Sequence, residues 1–210
     1  AQIKPHFLYN TLDALKWMIM DENSTDAVWM VNALSKYLRM SINRGDQVVS
    51  LKEEVQLMKI YLEIMQRRFR NKFEMAYDLE KETLNYMIPK LSLQPLVENA
   101  ILHGILHSEK ENLRVTIRSW HQDDWFVIQI EDNGCGMKKE QAEYLSNLDI
   151  KDGKGYGIAN VHNRLNIFAR GICRFEIESK EKIGTCVTVA MSLSETENKR
   201  LDKQQEIDIL

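Results

Sequence analysis

No stretch of the 210 residues is apolar for long enough to cross a bilayer. Nothing at the start resembles a secretion signal. Excess positive charge is also missing. Lys and Arg number 28 against 31 Asp and Glu, a formal net charge of −3. That supports neither nucleic-acid binding nor a basic membrane-surface patch. Cysteine is scarce. Cys135, Cys173 and Cys186 show no metal-ligand spacing, and an odd number without a signal peptide fits a reducing cytosol better than a disulfide framework. Internal repeats and low-complexity tracts are absent. What is present is ordinary for folded protein: 44% hydrophobic and 28% charged residues, enough to bury a core in each half. The length suits one large domain or two small ones. The opening AQIKPHFLYN already reads as the inside of an element. The chain is therefore expected to continue a longer protein, with any membrane span upstream.

The front of the chain reads as helix. Residues 7 to 42 lack Gly and Pro and carry helical apolar spacing, with a break expected at Asp21–Ser24. Asn43-Arg44-Gly45-Asp46 is a second break. Ser50-Leu51-Lys52-Glu53 matches a capping box. The helix it opens is expected to reach about Arg68, with Leu51, Val55, Met58, Leu62 and Met65 on one stripe. After Arg70 the pattern changes. KFEMAYDLE alternates like a strand, LSLQPLVENAILHGIL reads as a mostly apolar helix, and VTIRSW and WFVIQIED form a hairpin around His121–Asp124. IANVHNRLNIFAR is a further helix, closed by Gly171. CRFEIES and TCVTVAMSL pair around Lys182–Gly184. The expected fold class is α+β: a helical region over 1–70, an α+β domain with a mixed or antiparallel sheet over 71–193, and a polar tail over 194–210.

Helix phase singles out His6. Leu8, Leu12, Leu15 and Ile19 lie on one stripe, and His6, Asn10, Asp13 and Trp17 on the opposite one. If the leucines form the bundle core, His6 faces outward, where it can meet another domain. A neutral imidazole is a competent nucleophile toward a phosphoryl group, and Asn10 or Asp13 can orient it. A solvated histidine without function gives the same pattern.

A second group of residues gathers in the rear half. Asn99 is a polar residue among Leu93, Val97, Ile101 and Ile105, and its amide oxygen is a hard ligand suited to Mg²⁺. His103 shares its face and can reach a phosphate. Glu98 is a neighbouring carboxylate able to assist a metal or a water. Asp132 continues the inward face set by Phe126, Ile128 and Ile130, where the strand runs into Asn133-Gly134-Cys135-Gly136. An inward carboxylate needs a donor, and the exocyclic amine of adenine is one. Gly134 and Gly136 permit close ligand approach. Gly153-Lys154-Gly155-Tyr156-Gly157 then opens a helix, an arrangement suited to phosphate. Simpler readings exist for each: a solvated Asn, a strand-to-turn Asp-Asn-Gly, a flexible glycine loop.

Taken in order, these residues resemble a family. PHFLYNTLD resembles the phosphoacceptor segment of LytS/YesM-type sensor histidine kinases. VENAILHG is similar to their N box, EDNGCGM to the G1 box, GKGYGIANVHNRL to the G2 box and GTCVTV to the last glycine motif. The resemblance implies a helical dimerisation and phosphoacceptor region ahead of a GHKL (Bergerat) α/β sandwich that binds ATP. It implies a two-component kinase on the cytoplasmic side of a bacterial membrane. Such a kinase phosphorylates its own His6 from Mg-ATP and passes the phosphoryl group to an aspartate of a response-regulator receiver domain. It further implies Asn99 as the Mg²⁺ ligand and Asp132 as the reader of adenine, with Gly134 and Gly136 beside it. Gly155 and Gly157 would stand at the phosphates, 138 to 154 would form a lid, and Thr185 would lie near adenine. Two departures stand out. Leu102 occupies a position where many of these kinases carry a basic residue, so His103 or Arg164 is expected to take over phosphate contact. Phe7 occupies the position after the histidine where many carry an acid, which leaves Asn10, Asp13 and Glu98 as candidates to assist His6. A catalytically degenerate ATP-binding or docking module of the same fold is the alternative.

Overall fold

A computed structural model describes residues 5–42, 47–146 and 156–193. Helices α1 (Pro5–Met20) and α2 (Ser24–Ile42) are separated where the break was expected. There Glu22 takes a positive φ of 58°, and the Asn23 side chain accepts the Asp26 N–H at 3.3 Å as a cap. The second break, 43–46, lies outside the described residues. After the short strand β1 (Val48–Ser50), Ser50 opens α3 (Leu51–Arg68) with both halves of the capping box in place. The helix ends at Arg68, as its spacing predicts. Its apolar stripe is buried, but Leu57, Ile60, Tyr61 and Ile64 are buried too. The buried face is therefore wider than one stripe, and only the narrow strip of Lys52, Glu53, Gln56, Lys59 and Glu63 stays exposed. α3 packs on α1 and α2 on one side, and on β1, β2 (Phe73–Leu79) and a 3₁₀ turn (Glu82–Asn85) on the other. The hydrophobic core accordingly runs unbroken from Phe7 to Met191.

In α1 the face buried within one chain differs from the leucine stripe, of which Leu8 and Leu15 are only partly buried. Phe7 and Thr11 are the buried residues, while Leu12 and Ile19 are 51% and 61% exposed. Phe7 enters an aromatic cluster, with ring centroids 5.0 Å from both Tyr37 and Tyr61. Aromatic rings carry more buried area than a leucine stripe and gain from tilted packing. His6 still faces out.

The rear half is built on five strands in the order β2 (Phe73–Leu79), β4 (Leu113–Gln122), β5 (Trp125–Asp132), β7 (Gly184–Ser192), β6 (Cys173–Lys180). β2 runs parallel to β4 and the other pairs are antiparallel, so the sheet is mixed. The β4–β5 hairpin is tighter than expected. Its strands continue through Gln122 and restart at Trp125, leaving Asp123 with φ 51° in the turn. β3 (Met87–Pro89) pairs with β1. The apolar segment after it is not one regular helix. α4 (Gln94–Asn99) widens into a π-helical turn over Ala100–Ile105. α5 (Lys139–Ser146) and α6 (Tyr156–Phe168) complete the domain. Among the described residues no helix is long and apolar enough to cross a membrane.

Candidate functional site

A cavity of about 550 Å³ opens between α4 with its π turn, the start of α6, and the strand ends of β5 and β7. Ile130 and Val187 give it an apolar floor, and Asp132 lies at one end. The alternation of β5 aims Asp132 inward, as the sequence predicts, and it is 5% exposed. Gly134 N–H donates to its Oδ1 at 2.9 Å. Burial pushes its carboxyl up to about 6, against the pull of the Gly134 and Thr185 N–H groups and the charge of Lys110. Burial outweighs those contacts, so the carboxylate is under-solvated. A ligand N–H would relieve it.

The loop after β5 is fastened to the π turn. Cys135 N–H donates to Gly104 O at 3.0 Å, and its thiol lies 3.0 Å from His103 O. The approach is so close that a Cβ on Gly104 would stand 2.6 Å from Asp132 Oδ1. Gly136 has φ +63°, and a Cβ there would sit 2.0 Å from Lys180 O, so only glycine fits. The ammonium of Lys110 knits the same corner by donating to the carbonyls of Asn133, Gly134 and Ile183 at 2.7, 3.0 and 2.9 Å. Thr185 lines the cavity, its hydroxyl 3.0 Å from Ser179 Oγ.

At the other end is Asn99, half-buried, at the join of α4 and the π turn. A Cβ built on Gly157 would lie 3.8 Å and 4.0 Å from its amide nitrogen and oxygen, so the two residues adjoin at this end of the cavity. Gly157 belongs to the first turn of α6, where backbone N–H groups have no partner within the helix, an arrangement that favours anions. Among the described residues no group of three His, Cys, Asp or Glu side chains could hold a metal by itself. One amide oxygen suits Mg²⁺ only if phosphate and water supply the remaining ligands, which is that ion's usual habit.

Several candidates lie elsewhere. His103 lines the cavity, but Glu98 does not; it is 3% exposed and accepts from Gln94 Nε2 at 2.8 Å. Arg164 is engaged elsewhere. Its guanidinium donates to Lys90 O at 3.0 Å and Leu91 O at 3.3 Å and is not among the residues lining the cavity. Those carbonyls occupy the group expected to meet phosphate. His6, Asn10 and Asp13 sit on α1, outside the cavity lining. The Asn10 amide nitrogen lies 3.0 Å from His6 Nδ1 and 2.8 Å from Nε2, at the edge of the ring between them. Lys154 and Gly155 lie outside the described residues. Sequence reasoning missed Gly104, Lys110 and His107, whose ring lies 6.3 Å from that of His103 in the cavity wall. Gly104 had a legible signal, since a glycine inside a helical segment costs about 1 kcal/mol and asks for a reason.

Two family models match the chain: "Histidine kinase" over residues 1–73, and "Histidine kinase-, DNA gyrase B-, and HSP90-like ATPase" over residues 89–195. Sensor histidine kinase YesM of Bacillus subtilis (strain 168) is 31% identical over 191 residues, which cover 91% of this chain and 32% of that protein. Sensor protein kinase HptS of Staphylococcus aureus (strain USA300) is 32% identical over 196 residues, covering 92% and 37%. The chain thus spans about a third of the length of the curated relatives it matches. Among solved structures, the histidine kinase domain of the Erythrobacter litoralis EL346 blue-light activated histidine kinase aligns with a TM-score of 0.52 at 15% identity, over 96% of this chain and 80% of that one. The catalytic domain of histidine kinase ThkA aligns with a TM-score of 0.50 at 16% identity, over 69% and 93%. These two likenesses concern the fold alone. The ATPase family of the rear domain implies ATP binding.

Proposed function

The chain belongs to the sensor histidine kinase family, and on that premise we propose that it phosphorylates His6 from Mg-ATP and hands the phosphoryl group to a response-regulator aspartate. The observation that carries this reading is the buried, under-solvated Asp132 carboxylate at the end of an open cavity whose other end is Asn99 and the α6 N-terminus. Asp132 accepts the adenine amine. Asn99 lends its amide oxygen to Mg²⁺, and His103 and the α6 N–H groups meet phosphate. When bound, the Mg²⁺ neutralises charge on the phosphates.

In the transfer step a lone pair on a neutral His6 nitrogen attacks the γ-phosphorus. The bond to the β–γ bridging oxygen breaks, ADP leaves, and the imidazole gives up its remaining proton to solvent or a neighbouring base. Positioning and charge neutralisation supply most of the acceleration. Asn10 orients the ring. His6 does not line the cavity, so the two must be brought together by movement about the segment Arg68–Lys72 or by a second copy of the chain. Exposed apolar side chains on the front helices, among them Leu12, Trp17, Ile19 and Val28, support pairing of two copies there. On this reading residues 1–70 dimerise and accept phosphate, residues 71–193 bind ATP, and the parent protein works at the cytoplasmic side of a bacterial membrane.

The test is radiolabelled ATP with wild type and His6→Gln. Wild type should take up acid-labile label. The variant should take up none while binding ATP as before. Label retained by the variant at the wild-type level would refute the assignment. ATP binding without labelling of wild type would favour the degenerate module, for which Leu102 and Phe7 are the best support.

A further inference from the structure

Three polar side chains are buried together outside the cavity, where the helical front meets α4. Tyr37 is 0%, Gln94 6% and Glu98 3% exposed. The Tyr37 hydroxyl donates to Gln94 Oε1 at 2.8 Å, and Gln94 Nε2 donates to Glu98 Oε1 at 2.8 Å. The partners fix the orientation of the amide. A carboxylate only accepts, so the nitrogen faces Glu98 and the oxygen faces the phenol. Burial pushes the Tyr37 phenol up to about 12, so it keeps the proton it donates.

Each end of this chain of bonds touches something that matters. The Tyr37 ring lies 5.0 Å from that of Phe7, the next residue after His6, and 6.2 Å from that of Tyr61. Gln94 is the first residue of α4, and Glu98 immediately precedes Asn99. α4 has only six residues before the backbone widens into the π turn. The Gln94–Glu98 bond therefore braces the short regular segment that presents Asn99. An apolar side chain would fill the same space. It would not fix orientation, because a hydrogen bond is lost within a shift of about 1 Å and packing is not.

We propose that Gln94 is a positioning residue: through Tyr37 on one side and Glu98 on the other, it ties the seating of α1 on α2 to the placement of Asn99. The proposal rests on the reading that Asn99 serves a bound nucleotide. Linkage of this kind is reciprocal, so nucleotide at Asn99 steadies the acceptor helix, and a shift of that helix moves Asn99.

The test uses the full chain with Gln94→Met, Gln94→Glu, Tyr37→Phe and the double variant Tyr37→Phe/Gln94→Met. Met keeps the length of Gln. Glu places a second carboxylate beside Glu98. Phe removes only the hydroxyl and leaves the ring on Phe7, so it is the variant safest to fold. Four quantities are read: the Kd for Mg-ATP by calorimetry, kcat and KM for labelling of His6, the melting temperature, and amide exchange over α1 and α2 with and without the β,γ-imido analogue of ATP. Wild type with the analogue should exchange those amides more slowly. In each single variant this nucleotide-dependent slowing and kcat should both fall roughly fivefold or more, while Kd and KM move less than about threefold. The double variant should be no worse than Gln94→Met, since the link is already cut.

Variants that keep both the slowing and kcat within about twofold of wild type overturn the proposal, as do additive losses or losses that merely follow a lowered melting temperature. If wild type shows the transmitted slowing but His6 takes no label, the phosphotransfer reading fails and the link stands. If wild type binds no nucleotide, both fall.

Discussion

Replacing Asp132 with Asn should remove ATP binding and at the same time make the stability of the protein less sensitive to pH. The carboxyl is raised from the ordinary 3.8 to about 6 by burial. At about 1.4 kcal/mol per pH unit, that rise corresponds to roughly 3 kcal/mol. The sign follows from proton binding. Between the two values the folded protein holds a proton that the unfolded chain has released, so stability falls as pH rises from about 4 to about 6 and is level above. Below the lower value the burial of Asp132 costs nothing, and above the higher value it costs the full amount. Asn carries no such dependence, and its oxygen can still accept the Gly134 N–H. Urea unfolding of both proteins at pH 4 and pH 7.5, followed by circular dichroism, isolates the effect, since other titrating groups cancel in the comparison. The advantage of Asp132→Asn over wild type should be larger at pH 7.5 by roughly 2.4 kcal/mol, since pH 4 already lies just above the unfolded value; that is on the order of 5–10 °C in Tm for a chain of this size. Calorimetry should find no Mg-ATP binding to the variant at either pH. A stability difference that is the same at both pH values would refute the claim that Asp132 is held under-solvated at the end of the cavity.

Gly104→Ala should push the Asp132 carboxylate off Gly134, because the new methyl would stand 2.6 Å from Oδ1 and 2.8 Å from Cγ. Overpacking of this kind costs about 1–3 kcal/mol, and Mg-ATP affinity measured by calorimetry should fall roughly tenfold or more; unchanged affinity would count against the contact. Glu54→Gln tests the brace beneath α4. Glu54 is 1% exposed and accepts the Leu91 and Leu93 N–H groups at 2.9 and 3.1 Å. Gln has one acceptor oxygen and would turn an NH₂ toward the other N–H, which costs about 1–3 kcal/mol. Burial holds the Glu54 carboxyl above its ordinary range despite these donors, so the neutral Gln also relieves a buried charge, and the loss read by urea unfolding should be smaller at pH 7.5 than at pH 4; a loss larger at pH 7.5 would show that the donors outweigh burial.

Much of this was local enough to read along the chain. The Ser50–Glu53 capping box, the length of α3 and the inward aim of Asp132 depend only on neighbours within a turn or a strand repeat. The face of α1 was not local. Phe7 and Leu8 head competing apolar stripes on one helix, and the choice between them was made by Tyr37 and Tyr61, tens of residues away. Arg164 looked available for phosphate because nothing near it in sequence announces the Lys90 and Leu91 carbonyls it binds.

By itself, then, the order of residues determined the break between α1 and α2, the start and length of α3, which side of β5 carries the acid, and the family to which the motifs belong. Only the tertiary structure decided that Gly104 lets the backbone close onto Asp132, that α4 widens where Asn99 sits, and that Tyr37, Gln94 and Glu98 share one buried line of hydrogen bonds. The physical reason is range. Periodicity and capping act over three or four residues. Close approach, desolvation and buried bonding arise only between segments that folding brings together from far apart.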